Sequence, residues 1–351
     1  MNVQLKNLSD QVLVITGASS GIGLVTAKMA AAEGARVVLA ARNDADLLDA
    51  VEQIRADGGQ AIHVVADVGE MEHVARIAEA AVRAFGRIDT WVNNAGVAMY
   101  GRLTEVSLED ARRLFDTLFW GTVHGSRTAV EHLRENGGAL INVASALSDR
   151  AIPLQGFYSA AKHAVKGFTD SLRMELEEEG APISVSLVKP SSIDTPLFDK
   201  AKTLMEVEPQ PVPPVYAPEV VAEAILECAQ RPIRDVIPGG MGQVLSLSGR
   251  LAPRLTDKYM EKTLFKQQQT DELVNGRGDN LFQPVETDGG ERGQNWKGRT
   301  HKTSFYTKAS LHPGKAALSA LGLGAMLLAG RQVMKVRRQK PKEPFLLPER
   351  F

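Results

Sequence analysis

Between residues 10 and 240, short apolar runs rich in β-branched residues alternate with longer stretches whose apolar positions recur every three to four residues. The short runs, at 12–16, 36–40, 61–65, 90–93, 139–143, 183–189 and 235–237, predict strands. The longer stretches, at 22–33, 45–56, 71–85, 108–135, 157–178 and 218–230, predict helices. Strands that are apolar on both faces and alternate with helices require a parallel sheet covered on each side. The expectation is therefore an α/β fold with a doubly wound parallel sheet of about seven strands. Ligands of such sheets bind at the carboxyl ends of the strands.

Two regions break the alternation. Residues 196–216 mix Leu197, Phe198, Leu204 and Met205 with Pro209, Pro211, Pro213 and Pro214. Prolines this dense forbid a regular helix or central strand, and a loop this long reads as a lid. Beyond residue 242 the chain changes character. Residues 243–311 read as an irregular extension, with 275–299 linker-like in its Gly, Asp, Asn and Arg content. Residues 312–351 read as an apolar helix over 316–330 followed by a basic tail. Fifteen residues span only roughly 22 Å as a helix, short of a ~30 Å hydrocarbon core. The two readings of 312–340 are shallow contact with anionic lipid and packing on protein.

Composition narrows the partners. With 41 basic and 42 acidic side chains the chain lacks the basic excess of a nucleic-acid binder. Cys228 is the lone cysteine, which excludes an internal disulfide and fits a reducing compartment. The first ten residues have no basic region leading into an apolar core, so a cytoplasmic location is expected, with membrane association through the C-terminal segment as the variant.

The chemistry gathers at strand ends. Gly17, Gly21 and Gly23, with Ser19, Ser20 and Ile22 between them, follow a predicted strand and open a predicted helix, the setting of a dinucleotide loop. The helix N-terminus offers its free N–H groups to phosphate. At the second strand end stand Ala40, Ala41 and Arg42, with no carboxylate for a ribose 2′-hydroxyl; the Arg42 fork suits a 2′-phosphate. This favours NADP over NAD. Asp67-Val68 follows the third strand, where the acid also suits a helix cap, and Asn93-Asn94-Ala95-Gly96 follows the fourth. Tyr158 and Lys162, at i and i+4, project from one helix face, and the ammonium is expected to lower the phenol's pKa. Tyr158 then acts as general acid-base, and Ser145 hydrogen-bonds a substrate carbonyl.

Together these motifs resemble the short-chain dehydrogenase/reductase family in its shorter, non-extended branch. Residues 16–23 resemble its TGxxxGxG loop and 93–96 its NNAG motif, while Ser145, Tyr158 and Lys162 match its catalytic serine and YxxxK. The resemblance covers about residues 8–240 and implies a seven-stranded Rossmann sheet, hydride transfer between NAD(P) and a carbonyl/alcohol pair, and Lys162 on the nicotinamide ribose. It further implies Asp67 near the adenine, Arg42 as the NADP-selecting base, and the segment containing Ile193 and Thr195 against the nicotinamide, with Thr195 on its carboxamide. The catalytic domain is set at residues 8–242.

One departure matters. The family's proton-relay asparagine falls on Leu118, so Thr117 or Thr122 must serve, or turnover is weak. The function expected is NADP(H)-dependent oxidoreduction of a hydrophobic carbonyl or secondary alcohol; a nucleotide-binding protein with little turnover is the alternative. The expected partners are that small molecule and further copies of the chain, with no nucleic acid; no metal site is assigned.

Overall fold

Seven apolar runs form one parallel sheet in the computed structural model, which describes residues 3–314. They are β1 (Val12–Thr16), β2 (Arg36–Ala41), β3 (Gln60–Val65), β4 (Thr90–Asn93), β5 (Gly138–Val143), β6 (Ile183–Val188) and β7 (Asp235–Val236). Their spatial order is β7-β6-β5-β4-β1-β2-β3, all parallel. The direction of winding reverses between β1 and β4, which opens a crevice at their carboxyl ends.

The helices are α1 (Gly21–Ala32), α2 (Asp44–Ala56), α3 (Met71–Phe85), α4 (Leu108–Phe115), α5 (Gly121–Leu133), α6 (Gly156–Glu178) and α7 (Pro218–Gln230). A row of paired residues, Val38, Val14, Trp91, Leu140 and Val185, crosses five strands. Val74, Ile77 and Ala81 of α3 and Val130 and Leu133 of α5 pack on it in one buried cluster. Burying each large side chain contributes about 1.5–3 kcal/mol, which offsets the ordering of the strands. Between α4 and α5, where one unbroken helix is expected, residues 116–120 form a wider π-helical turn.

The extension differs from the expectation of an irregular 243–311. Two helices, α8 (Gly240–Leu251) and α9 (Pro253–Gln267), occupy its first part. The proline-rich segment 196–216 is likewise tied down. Lys202–Thr203 pairs with Met99–Tyr100, Val207–Pro209 with Gln269–Leu273, and Val215–Tyr216 with Thr300–His301. Residues 275–299 are irregular in backbone but hydrogen-bonded at many points to the sheet domain.

The chain divides into two compact units, 1–307 and 308–351, and the sheet and its crevice belong to the first. Among the described residues no helix is long and apolar enough to cross a membrane. The apolar segment 316–330 and the basic residues after it lie outside the described residues.

Candidate active site

The turn after β1 is shaped by three glycines. Gly17 has φ +66°, and a Cβ there would come within 2.6 Å of Ala95 Cα. A Cβ on Gly23 would meet Gly17 O at 2.2 Å and Asn94 Nδ2 at 2.6 Å. Only glycine permits this approach of loop to β4. Asn94 locks the turn, since its Nδ2 donates to Thr16 O at 2.9 Å, while Thr16 Oγ1 accepts from the backbone N–H of Asn94 and Ala95.

On the other side of the crevice, Ser145 lies two residues beyond β5, and its Oγ accepts from Leu147 N at 3.1 Å. Tyr158 and Lys162 stand one turn apart on α6. Lys162 Nζ donates to Val143 O at 2.8 Å, pinning α6 to the end of the serine's strand. The ammonium lies 5.8 Å from the centroid of the Tyr158 ring.

These groups converge on one cavity of about 360 Å³. Gly17, Ser19, Ser20, Gly21, Ile22, Arg42, Asp67, Val68, Asn94, Ala95, Gly96, Ser145, Tyr158, Lys162, Ile193 and Thr195 all line it. Gly23 does not; it packs beneath the loop, where it keeps helix and turn close.

The electrostatics correct one expectation. Burial pushes the Tyr158 phenol up to about 12, with a hydrogen bond to Ser145 opposing, so the phenol lies above its ordinary value and not below it. Burial also lowers the Lys162 ammonium, to about 8. At neutral pH the site therefore holds a protonated phenol beside a charged lysine.

Two cofactor candidates are already engaged. The Arg42 guanidinium donates to the carbonyls of Asn280, Leu281 (3.4 Å) and Phe282 (3.2 Å). Asp67 caps no helix; its carboxylate accepts from Gly69 N at 2.9 Å and pairs with Arg113. Arg113 in turn donates to Leu281 O at 3.0 Å.

Leu118 does not face the cavity. It is fully buried with Val97, Met99, Leu114, Ala161 and Leu281. Thr117 lines the cavity instead, and its Oγ1 has no hydrogen-bond partner among the described residues. Thr122 is not the substitute, because its Oγ1 donates to Leu118 O at 2.8 Å.

Several lining residues escape motif reading. Lys200 comes from the proline-rich segment, Met241 and Gly242 from the start of α8, and Leu245, Tyr259, Leu264, Gln267, Asn280, Pro284 and Asp288 from the extension. The amphipathic stretch 240–267 carries a helical signal, whereas the turn Asp288-Gly289-Gly290 signals only a loop.

The profile of the short chain dehydrogenase family matches residues 11–205. The chain belongs to the short-chain dehydrogenase family. "Uncharacterized oxidoreductase YxnA" of Bacillus subtilis (strain 168) is 47% identical over 94% of this chain and 93% of its own. That likeness runs past residue 205 into the extension. "11-beta-hydroxysteroid dehydrogenase A" of Sesamum indicum is 37% identical over 55% of each chain. Among solved structures, an alcohol dehydrogenase from the archaeon Thermococcus sibiricus, complexed with 5-hydroxy-NADP, shares the fold. It superposes with a TM-score of 0.57 at 24% identity, covering 65% of this chain and 95% of its own.

Proposed function

We propose that this short-chain dehydrogenase reduces a carbonyl on a hydrophobic small molecule to a secondary alcohol, and reverses that reaction, with NADP(H). The observation that carries the reading is the convergence of Ser145, Tyr158 and Lys162 with the glycine loop on one cavity. The loop supports a dinucleotide because Cβ atoms at Gly17 and Gly23 would fill the space that its turn needs. Gly17, Ser19 to Ile22, Arg42, Asp67, Val68, Asn94 to Gly96, Ile193 and Thr195 would hold the cofactor, with Tyr158 and Lys162. When bound, the nicotinamide supplies or accepts the hydride.

The chain's own residues handle the proton. Ser145 donates to the substrate oxygen and orients it. Tyr158, protonated at neutral pH, gives its proton to that oxygen as charge develops there. The positive charge on Lys162 stabilises the phenolate left behind. A phenol held near 12 is fully protonated at neutral pH, the form that reduction uses, whereas alcohol oxidation needs its phenolate.

NADP over NAD rests on Arg42 at the end of β2, where Ala40 and Ala41 provide no carboxylate. An apolar substrate is supported by Leu147, Ile152, Phe198, Val212, Leu245 and Leu264 on the cavity wall. A relative named for hydroxysteroid oxidation agrees with that wall.

A nucleotide-binding role with little turnover is the second reading, favoured by the apolar burial of Leu118. Purified protein, NADPH or NADH, and a panel of apolar ketones and aldehydes decide between the two. The expected result is NADPH oxidation that depends on the carbonyl and disappears in Tyr158→Phe. Tight NADPH binding without turnover on any carbonyl supports the second reading. Equal affinity for NADPH and NADH in wild type and Arg42→Ala overturns the cofactor assignment.

A further inference from the structure

Lys200 and Asp288 form a buried ion pair in the wall of the cavity, outside the catalytic group. Lys200 Nζ lies 2.9 Å from Asp288 Oδ1 and 2.9 Å from Ser20 Oγ. The other Asp288 oxygen accepts from Ser19 Oγ. Two residues further on, Gly290 O accepts from Gly21 N at 2.8 Å. The hydroxyl and N–H donors of the glycine loop, suited to a phosphate, are thus met by a carboxylate and a carbonyl of the chain's own extension.

Lys200 is 9% exposed and Asp288 7%. Desolvating such a pair costs as much as its attraction returns, so stability alone is a weak reason for it. Asp46 accepts from Asp288 N at 2.6 Å, which places a second carboxylate beside the first. Burial lowers the lysine's pKa, opposed by Asp288, Asp46 and Asp199. Next to Asp288, Gly289 (φ +85°) and Gly290 (φ +70°) take left-handed conformations, and both are exposed.

We propose that Lys200 is a ligand of the cofactor's phosphate and that Asp288 is the internal anion it exchanges for that phosphate. The proposal rests on the reading of this groove as a dinucleotide site. On entry of the cofactor the carboxylate leaves Lys200 and Ser19, and the phosphate takes both donors. Sequence motifs do not reveal this, because Lys200 lies in the proline-rich segment and its partner 88 positions away.

Calorimetric titration of the full chain with NADP+, NAD+ and adenosine tests it. Lys200→Met is expected to weaken both dinucleotides about tenfold or more, the scale of a lost charge-assisted hydrogen bond. Lys200→Arg restores most of that affinity. Asp288→Asn, which removes the competing charge, is expected to strengthen dinucleotide binding by about three- to tenfold. Adenosine, which has no phosphate, binds alike to all four proteins. Near-UV circular dichroism reports whether each variant is folded; if Lys200→Met is not, the Arg and Asn variants carry the test. Unchanged dinucleotide affinity in folded Lys200→Met overturns the proposal, as does weaker binding in Asp288→Asn. A wild type that binds neither dinucleotide overturns the dinucleotide reading itself, a distinct result.

Discussion

The Asp288 carboxylate accepts a hydrogen bond from Ser19 Oγ across 269 residues of chain. The extension therefore returns to the first turn of the sheet domain and forms part of the site wall. Residues of the extension are thus integral to the sheet domain, although every cofactor and catalytic motif lies before residue 200. Leu281 shows why, since it is fully buried with Leu114 and Leu118.

Leu281→Ala is accordingly expected to cost about 2–5 kcal/mol, the range for removing a buried leucine side chain. Urea unfolding followed by fluorescence measures it. A change below 0.5 kcal/mol, ordinary for a surface loop, would mean that the segment does not pack as described.

Tyr158→Phe keeps the ring and removes only the hydroxyl. Reduction is expected to fall by about 10²–10⁴-fold, the usual share of general acid catalysis. Dinucleotide affinity is expected to change little. Steady-state kinetics on any substrate found in the panel gives the first value and calorimetry the second; wild-type kcat in the variant rejects the mechanism.

The pH profile follows from the two shifted groups. Lys162 is lowered to about 8, so its positive charge is present below that pH and is lost as pH rises through it. Reduction is expected to be flat near neutrality and to fall about tenfold per pH unit well above 8. Tyr158, held at about 12, stays protonated throughout and adds no second limb below pH 10. Alcohol oxidation, which needs the phenolate as base, is expected to rise with pH until the lysine charge is lost. A reduction profile that is still flat at pH 9.5 contradicts the role given to the lysine charge.

Leu118→Asn is expected to destabilise the fold and leave turnover no higher. The amide would be buried among apolar side chains, at about 1–3 kcal/mol. Thr117→Val, nearly isosteric, tests the polar group that does line the cavity. Its expected effect is a lower kcat with unchanged KM and unchanged melting temperature. Faster turnover in Leu118→Asn would show that the asparagine reaches the site after all.

The parallel sheet, its seven strands and the candidate catalytic group are readable in the sequence because they rest on local regularities. Trp91 and Val92 sit in a short apolar run, and Tyr158 and Lys162 are one helical turn apart wherever that helix packs. The glycine spacing at 17, 21 and 23 likewise states a steric demand, met by Ala95 and Asn94. Long-range contact decides the rest. An extra residue in the turn at 116–120 rotates the helix by about 100° relative to a regular one, which goes with Thr117 on the cavity and Leu118 in the core. Burial sets the proton affinities of Tyr158 and Lys162, and spacing carries no information about burial. Residues 280–293 are held by carbonyls, carboxylates and one buried leucine, none of which repeats at a helical or strand period. Sequence alone therefore determines the sheet, the loop and the candidate catalytic residues, whereas tertiary structure decides which groups face the cavity, how they are charged and that the extension closes its wall, because desolvation and hydrogen bonding act on residues distant along the chain.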